Sequence, residues 1–346
     1  MNRHLRDSEV IGPLTLRMEL EQWPLVAPFR IAGHDFEVLQ VLHLRLAAGR
    51  YVGHAEAAGV YYKNDKPESI KESIEKLRTT IETGLSCDSV QRLLPPGGAR
   101  NAIDCALWDL CAKLSGVPAW QLAGLERPRP LLTTFGCGAD TPEKMAACAV
   151  AYRWARAIKL KLTGEPSDPD RVRAVREALP DVWLGVDANQ GFTRPFLERL
   201  MPVLIEMRVS LIEQPFPVGH EALLDGLRSP IQIAADESVQ GLADIDALAG
   251  RFNVVNIKLD KCGGLTEALA MARASRDLGL DLMVGNMIGT SLAMAPASLV
   301  GQLCAIVDLD GPVFLTADRP TPMQYSNGFL TSPEALWGFP DLGAIR

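Results

Sequence analysis

Hydrophobic and polar residues alternate with two different periods along the chain, and the order of these periods suggests two parts. The strand period of two appears first, in the segments LTLRMEL, EVLQVLHLRLAAG and YVGHAEAA, which predict an antiparallel meander over residues 12–57. Apolar residues at helical spacing follow in PESIKESIEKLRTTIETGL and ARNAIDCALWDLCAKLSG. Strands followed by helices predict an α+β domain over residues 1–125.

After the segment LERPRP, short apolar strands alternate with amphipathic helices. We predict strands over residues 131–138, 157–162, 183–189, 210–216, 231–238, 254–260, 281–287 and 305–310. Eight strand-helix units at a steady interval predict an α/β fold, a closed parallel (β/α)-barrel. An open doubly wound sheet is the alternative, but the segment GCGADT lacks the third glycine of a dinucleotide-binding loop.

The bulk composition argues against several classes of function. The 346 residues have a net charge of -7 without a basic block, so neither nucleic acid nor an anionic membrane is an expected partner. No signal sequence or apolar run of about 18 residues is found, which predicts a cytoplasmic protein. The seven cysteines include no Cys-x-x-Cys pair, which favours free thiols.

The second barrel strand, in RAIKLKLTG, contains two lysines. Lys159 and Lys161 lie on the same face because strand side chains alternate. A solvated face is the simpler interpretation of such a pair by itself. In a barrel, however, the carboxyl ends of the strands form the active-site face. The next four strands each place one acid or lysine there, namely Asp187, Glu213, Asp236 and Lys258.

Three successive strands therefore each offer a carboxylate at the same face. A helix-capping acid or a rim charge is the alternative for each of them taken singly. Converging carboxylates repel one another unless a cation lies among them, and oxygen-only ligands suit a hard ion such as magnesium. The three acids imply a divalent metal.

Lysines from strands two and six lie on opposite sides of such a barrel. Lys161 and Lys258 are thus placed to face opposite sides of one bound carbon atom, next to a metal that stabilises an oxyanion. A neighbouring cation lowers the pKa of a lysine, so we expect Lys159 to lower that of Lys161. Two opposed bases suggest inversion of a stereocentre.

Five motifs in this order resemble the enolase superfamily, specifically its muconate-lactonizing subgroup: KLK at 159–161, DAN at 187–189, IEQP at 212–215, DES at 236–238 and NIKL at 256–259. The resemblance implies a modified TIM barrel over residues 126–318, an N-terminal α+β capping domain, and a segment over 319–346 that returns to the capping domain. It also implies one Mg²⁺ per subunit held by Asp187, Glu213 and Asp236. Lys161 and Lys258 would form the acid/base pair with Lys159 as electrostatic helper, in a homo-oligomer.

The eighth strand helps to choose among the reactions of this subgroup. The segment CAIVDLDGP places Asp308 and Asp310 on one face and resembles the Asp-x-Asp motif with which dipeptide epimerases hold the α-ammonium group of the substrate. A polar turn is the alternative. We predict a magnesium-dependent epimerase that inverts the Cα of the C-terminal residue of an L,L or L,D dipeptide, by two-base 1,1-proton transfer through a metal-stabilised enediolate.

Other functions stay open at this point. An N-acylamino-acid racemase, an o-succinylbenzoate synthase or a muconate cycloisomerase shares the metal site, and a catalytically silent binding protein is the alternative from another class. Relatives that act on Ala-Glu have an arginine in a capping-domain loop, where PFRIAGHDFE offers Arg30 and His34 as substrate contacts beside Lys159. GVYYKND predicts a second specificity loop, and Gly289 in MIGT predicts a roomier pocket than the MIET of relatives.

Overall fold

The computed structural model describes residues 10–31 and 34–340, and for residues 30, 31, 34 and 35 it describes the backbone alone. The N-terminal part begins with an antiparallel sheet in the order β1-β2-β3, which confirms the predicted meander. Its strands are β1 (Thr15–Ile31), β2 (His34–Ala48) and β3 (Tyr51–Ala57). Leu42, Leu44 and Leu46 of β2 are fully buried, because alternate residues of a strand share one face and this face packs on helices. Full burial of such a side chain contributes about 1.5–3 kcal/mol.

Five helices follow the sheet: α1 (Pro67–Glu75), α2 (Arg78–Thr83), α3 (Cys87–Leu93), α4 (Gly98–Ser115) and α5 (Ala119–Leu122). Helix α4 lies across β2 and β3 and ends where Gly116 adopts φ 69°, a left-handed conformation that glycine accepts without steric cost. The helical pattern over residues 67–85 is divided into two helices, so that α1 packs on α4 while α2 packs on β1.

Eight parallel strands form one curved sheet in sequential order, and this confirms the predicted barrel. They are β5 (Phe135–Cys137), β6 (Ala157–Lys161), β7 (Trp183–Asp187), β8 (Leu211–Glu213), β9 (Gln232–Ala235), β10 (Val254–Ile257), β11 (Asp281–Val284) and β12 (Ile306–Val307). The two ends of the sheet meet where the backbone N–H of Thr134 donates to the carbonyl of Val307 over 2.8 Å.

Helices connect the barrel strands: α6 (Pro142–Ala151), α7 (Asp168–Ala178), α8 (Arg194–Glu206), α9 (Ile245–Leu248), α10 (Leu259–Cys262), α11 (Leu265–Asp277) and α12 (Ser291–Gly301). The predicted first barrel strand is too long at its start. Leu131–Leu132 forms a separate strand, β4, which pairs antiparallel with β14 (Phe329–Thr331), and β14 pairs with β13 (Gln324–Ser326).

The C-terminal segment contacts the N-terminal part. The indole N–H of Trp337 donates to the carbonyl of His54 over 3.0 Å, and the backbone N–H of Gly338 donates to Asp109 Oδ1 over 2.8 Å. The domain boundaries at 125/126 and 318/319 stay a prediction. Within residues 10–31 and 34–340, no helix has both the length and the apolar character that a bilayer crossing requires.

Candidate active site at the carboxyl ends of the barrel strands

Three buried carboxylates meet at one end of the barrel. Asp187 ends β7, Glu213 ends β8 and Asp236 directly follows β9, and one oxygen of each lies within 4.8 Å of the others. Parallel neighbouring strands bring their carboxyl ends to the same edge, so the three acids converge. Burial and the nearby charge of Asp187 raise the pKa of Glu213 to about 7. A divalent cation fits this oxygen-only set and would relieve the repulsion within it.

Three lysines surround the carboxylates. Lys159 Nζ lies 3.0 Å from Glu213 Oε2 and 3.8 Å from Asp187 Oδ2. Lys161 Nζ lies 2.5 Å from Asp187 Oδ2, and Lys258 Nζ, after the end of β10, lies 2.6 Å from Asp236 Oδ2. All three lysines are buried. The structure thus brings together the six charged residues that the sequence placed at the ends of strands two to six.

Neighbouring carboxylates raise the pKa values of two of these lysines, Lys159 and Lys258, whereas the expected effect of Lys159 on Lys161 stays a prediction. Burial by itself would lower the pKa of Lys159, but the carboxylates of Asp308 and Glu213 outweigh burial and raise this pKa well above its usual range. Burial likewise lowers the pKa of Lys258, and Asp236 and Glu213 raise it above its usual range. The carboxylates, being closer than the neighbouring ammonium groups, decide the direction.

Two further residues complete the cluster and were missed in the sequence. Lys261 Nζ lies 2.5 Å from Asp236 Oδ1 and also donates to the carbonyls of Asp236 and Asn256. Asn256 Nδ2 donates to Glu213 Oε1 over 2.8 Å. The signal for Lys261 was its position three residues after Lys258, since a turn of helix brings residues at this spacing to one side. Asn256 is the first residue of the NIKL motif at 256–259, but no role was predicted for its side chain.

A cavity of about 400 Å³ reaches Asp236, one of the three carboxylates. Its floor includes Lys161, Lys258 and Asp236, together with the amide side chains of Asn189 and Asn286. The two proposed bases therefore line the same cavity. Glu237 also contributes to the lining and is buried, and its Oε2 atom has no hydrogen-bond partner among the described residues. Burial and the charge of Asp236 raise the pKa of Glu237 to about 8.

Asp308 and Asp310 are not among the residues that line the cavity. They lie next to its floor, where Asn286 Nδ2 donates to the carbonyl of Asp308. Asp308 pairs with Lys159 and accepts a hydrogen bond from Thr134 Oγ1. Asp310 Oδ2 accepts from the backbone N–H of Gly136 over 2.6 Å, and a Cβ at Gly136 would lie 3.3 Å from that oxygen. Both aspartates are buried. Burial and the charge of Asp308 raise the pKa of Asp310 to about 7.

The predicted contacts from the capping-domain loop cannot be placed, because the side chains of Arg30 and His34 lie outside the described residues. Their backbones belong to the β1-β2 hairpin, where Arg30 pairs with Asp35 and Ile31 pairs with His34. A contact of Arg30 or His34 with the substrate stays a prediction.

Two specificity predictions concern residues that the structure does describe. Tyr61 and Tyr62 of the segment 59–65 line the cavity, in agreement with a specificity loop. The roomier pocket predicted at Gly289 is wrong. A Cβ at Gly289 would lie 2.9 Å from the Cβ of Ala293 and 3.4 Å from Oε1 of the buried Glu56, so neighbouring side chains already fill this space.

Comparison with known families identifies both parts of the chain. The family described as "Mandelate racemase / muconate lactonizing enzyme, N-terminal domain" matches residues 14–124. The family described as "Enolase C-terminal domain-like" matches residues 143–338. The chain belongs to the mandelate racemase/muconate lactonizing enzyme family. Membership in this branch of the enolase superfamily confirms the resemblance that the five motifs indicated.

Two relatives are equally similar in sequence to this chain, but their names describe different reactions. The L-Ala-D/L-Glu epimerase of Escherichia coli is 36% identical over 318 residues, which are 91% of this chain and 99% of the relative. The N-acetyl-D-glutamate racemase of a Pseudoalteromonas species is 36% identical over 299 residues, 85% of this chain and 93% of the relative. Both names describe isomerases that act on amino acid derivatives.

Solved structures of similar proteins share the fold. An enolase family member from Agrobacterium tumefaciens with homology to dipeptide epimerases, with bound sodium and L-Ala-L-Glu, has a TM-score of 0.91 and 37% identity, and the match covers 94% of this chain and all of that one. The dipeptide epimerase from Methylococcus capsulatus, complexed with Mg and L-Arg-D-Lys, has a TM-score of 0.87 and 30% identity, with 95% and 99% coverage.

Proposed function

We propose that the chain is a magnesium-dependent dipeptide epimerase that inverts the Cα of the C-terminal residue of its substrate. The observation that carries this proposal is that Lys161 and Lys258, from strands two and six, line one cavity together with Asp236, which is one of three converging carboxylates. Epimerisation needs a proton to leave one side of a carbon atom and another to arrive on the opposite side. The dipeptide epimerases among the similar proteins support the substrate class.

Asp187, Glu213 and Asp236 would hold the metal. When bound, a magnesium ion offsets the charge of these carboxylates, favours neutral lysines beside them, and takes up negative charge on the carboxylate group of the substrate as the α-proton leaves. Asn256 and Lys261 orient the ligands, since Asn256 donates to Glu213 and Lys261 donates to Asp236.

The lysines supply the proton transfers. Lys161 removes the α-proton of one epimer while Lys258 delivers a proton to the other side of Cα, and the two exchange roles in the reverse reaction. Lys159, which pairs with Glu213 and Asp308, remains protonated and stabilises negative charge on the substrate carboxylate. A buried ammonium in this position acts without any reorganisation during the reaction.

The free amino group of the dipeptide would be bound by Asp308 and Asp310. Two neighbouring buried carboxylates give charge-assisted acceptors for an ammonium group. The raised pKa of Asp310, caused by burial and by Asp308, supports this role, because a cation placed between the two groups would relieve their repulsion. Because these aspartates do not line the cavity, the amino group of the dipeptide must extend past the lining residues to reach them.

A second candidate function is racemisation of N-acylated amino acids. The N-acetyl-D-glutamate racemase is as similar to this chain as the E. coli epimerase is, and the described cavity lining does not include the two aspartates. An N-acylated substrate has no ammonium group and would not need them. The alternative from another class, a catalytically silent binding protein, does not explain why Lys161 and Lys258 both line the cavity.

Exchange of the α-proton in heavy water tests these functions against one another. Purified protein with Mg²⁺ is incubated with a mixture of dipeptides and, separately, with their N-acetylated forms, and deuterium uptake is followed by mass spectrometry. We expect uptake in free dipeptides at the C-terminal residue. Faster uptake in the N-acetylated series would support the racemase, and no uptake in either series would support the silent protein. We also propose a cytoplasmic homo-oligomer, which light scattering and cell fractionation would test.

A further inference from the structure

The walls of the cavity differ in chemistry from its floor. Leu25 and Phe29 of β1, Phe36 and Leu39 of β2, and Ile288 after β11 all line the cavity. These five residues belong to a small hydrophobic cluster that is separate from the main core. The wall therefore offers a continuous apolar surface next to the catalytic groups.

Part of this surface is exposed to solvent. Val38, which also lines the cavity, is 44% exposed, and Phe29 and Phe36 are only partly buried. An apolar patch that is open to solvent and continuous with a polar site is typical of a ligand-binding surface. Apolar surface on a ligand would gain free energy here by displacing water from these side chains.

Aromatic side chains extend the wall from the hairpin to the segment 59–65. The rings of Phe36 and Tyr61 meet edge to face at 5.3 Å, and those of Tyr61 and Tyr62 at 5.1 Å. Tyr62 Oη accepts a hydrogen bond from Gln240 Nε2. Burial raises the pKa of Tyr61 above its usual range, so its ring stays neutral. Edge-to-face packing joins these rings into one apolar surface that lines the cavity.

Hydrogen bonds hold the aromatic segment at both ends. The backbone N–H of Gly59 donates to Asp260 Oδ1 over 3.0 Å, and Asp65 Oδ2 accepts from the backbone N–H of Gly98 over 2.8 Å. Gly59 has φ 76°, and a Cβ there would lie 2.3 Å from the carbonyl oxygen of Asp65. The wall is therefore preorganised, which reduces the entropy lost when a side chain binds.

The charged residues of the lining offer little to an acidic side chain. Among the described lining residues the cations are Lys66, Lys161 and Lys258. The last two face Cα in the proposed reaction and pair with Asp187 and Asp236, and Lys66 is exposed to solvent. A buried carboxylate without a paired cation loses its hydration without compensation.

We infer that the C-terminal residue of the substrate has a large apolar or aromatic side chain, which packs against Phe29, Phe36, Tyr61 and Ile288. This inference rests on the proposed function, which places the Cα of that residue between Lys161 and Lys258 at the base of the same wall. The two lysines and the apolar wall line the same cavity, so a side chain on this Cα lies in the space that the wall borders.

A series of matched substrates tests the inference. The wild-type enzyme is assayed with L-Ala-L-Phe, L-Ala-L-Leu, L-Ala-L-Gln and L-Ala-L-Glu, and kcat/KM is measured from deuterium uptake at the C-terminal Cα. We expect kcat/KM for the Phe and Leu dipeptides to be about tenfold to a hundredfold higher than kcat/KM for the Glu dipeptide. This factor corresponds to the free energy gained when one apolar side chain is buried. A Glu dipeptide that reacts as fast as the apolar ones, or faster, would overturn the inference.

Two variants locate the effect in the wall. Phe36→Ala and Ile288→Ala should each lower kcat/KM for L-Ala-L-Phe by about tenfold and lower that for L-Ala-L-Glu by a clearly smaller factor, whereas Phe36→Leu should keep much of the activity with L-Ala-L-Phe. Leu223→Ala, which removes an exposed apolar side chain outside the cavity, serves as the control with no effect. Equal losses with both substrates would indicate a folding defect instead of a side-chain contact, and would count against the inference.

The same experiment separates failure of the inference from failure of the proposed function. If only N-acetylated amino acids exchange, the dipeptide function is wrong, and N-acetyl-L-Phe compared with N-acetyl-L-Glu then tests the apolar wall directly. If dipeptides exchange with a preference for Glu, the function stands and the inference is wrong. If no dipeptide and no N-acetylated amino acid exchanges its α-proton, both the proposed function and the inference are wrong.

Discussion

The floor and the wall of the cavity are built in opposite ways. The charged residues of the floor and those next to it are buried, and their aspartates, glutamate and lysines pair with one another at the ends of parallel strands. The wall is apolar and partly exposed, and most of it comes from the β1-β2 hairpin and the segment 59–65 of the N-terminal part. A rigid barrel suits the precise placement of reacting groups, while hairpins and loops vary more freely. Under the proposed function, reaction chemistry and substrate choice would therefore be carried by different parts of the chain.

The floor also differs from the wall in how much each residue depends on its neighbours. Asp236 accepts from both Lys258 and Lys261, which outweigh burial and hold its pKa well below the usual range. Removal of one member leaves a buried charge without its partner, which costs more than the loss of a single contact. An apolar wall residue can be shortened at the cost of its own contacts alone. Floor variants should thus affect all substrates, and wall variants should affect particular ones.

The largest expected effect is the loss of the metal. Exhaustive chelation should abolish deuterium uptake with every substrate, and added Mg²⁺ should restore it, because the carboxylate cluster cannot stabilise a negatively charged substrate by itself. Glu213→Gln should weaken Mg²⁺ binding measured by calorimetry. Glu198→Gln, on the exposed surface of α8, is the matched control. Turnover that persists after chelation would contradict the metal assignment.

The next largest effect is expected from the two bases. Lys161→Ala and Lys258→Ala should each lower epimerisation by about a thousandfold, within the range typical of general acid-base groups. Each variant should retain some α-proton exchange from one epimer, and the retained epimer should differ between the two. Exchange is measured separately from L,L and L,D dipeptides in heavy water. Lys144→Ala, an exposed lysine of α6, provides the control. Retention of the same epimer in both variants would exclude the two-base mechanism.

A smaller and more selective effect is expected at the eighth strand. Asp310→Asn should lower kcat/KM for a free dipeptide by at least about tenfold through the loss of one charge-assisted hydrogen bond, with little change for an N-acetylated substrate. Asp308→Asn should lower kcat/KM for both, because Asp308 also pairs with Lys159. Steady-state kinetics on the two substrate series distinguish these patterns. An Asp310→Asn variant that is fully active on free dipeptides would favour the N-acylamino-acid racemase.

The smallest effect is expected outside both the floor and the wall. Burial raises the pKa of Glu21, but hydrogen bonds from His43 and Arg319 outweigh burial and lower this pKa from 4.5 to about 2. The folded-state pKa lies below the unfolded value, so the stabilisation is present above about pH 4.5 and is lost as the pH falls through about 2. Glu21→Gln should reduce the free energy of unfolding at pH 7 by at most about 1 kcal/mol.

Urea denaturation at several pH values measures this difference. The curves of wild type and Glu21→Gln should approach each other as the pH falls from 4.5 towards 2, and kcat/KM should not change at neutral pH. Glu75→Gln, an exposed acid of α1, is the comparison variant from the same part of the chain. A difference that grows as the pH falls would contradict the assignment of the lowered pKa to Glu21.

Prediction from sequence succeeded for the floor because its positions follow from local periodicity. Lys159 and Lys161 share a face by strand alternation, and the acids of the next three strands are located by the ends of apolar runs. Prediction was less successful where contacts join distant segments. The ion pair between Lys159 and Asp308 joins the second barrel strand to the eighth, and the space beside Gly289 is occupied in part by Glu56 of the N-terminal sheet.

The sequence by itself determined the eight-stranded barrel, the preceding meander and the six charged residues at the strand ends, because each of these depends on a local pattern of two or 3.6 residues. Only the tertiary structure decided that Lys261 and Asn256 hold the carboxylates, that Asp308 pairs with Lys159, and that an apolar wall stands over the floor. These features arise where strands, hairpin and loops that are far apart in sequence meet, and no local pattern encodes the distance between them.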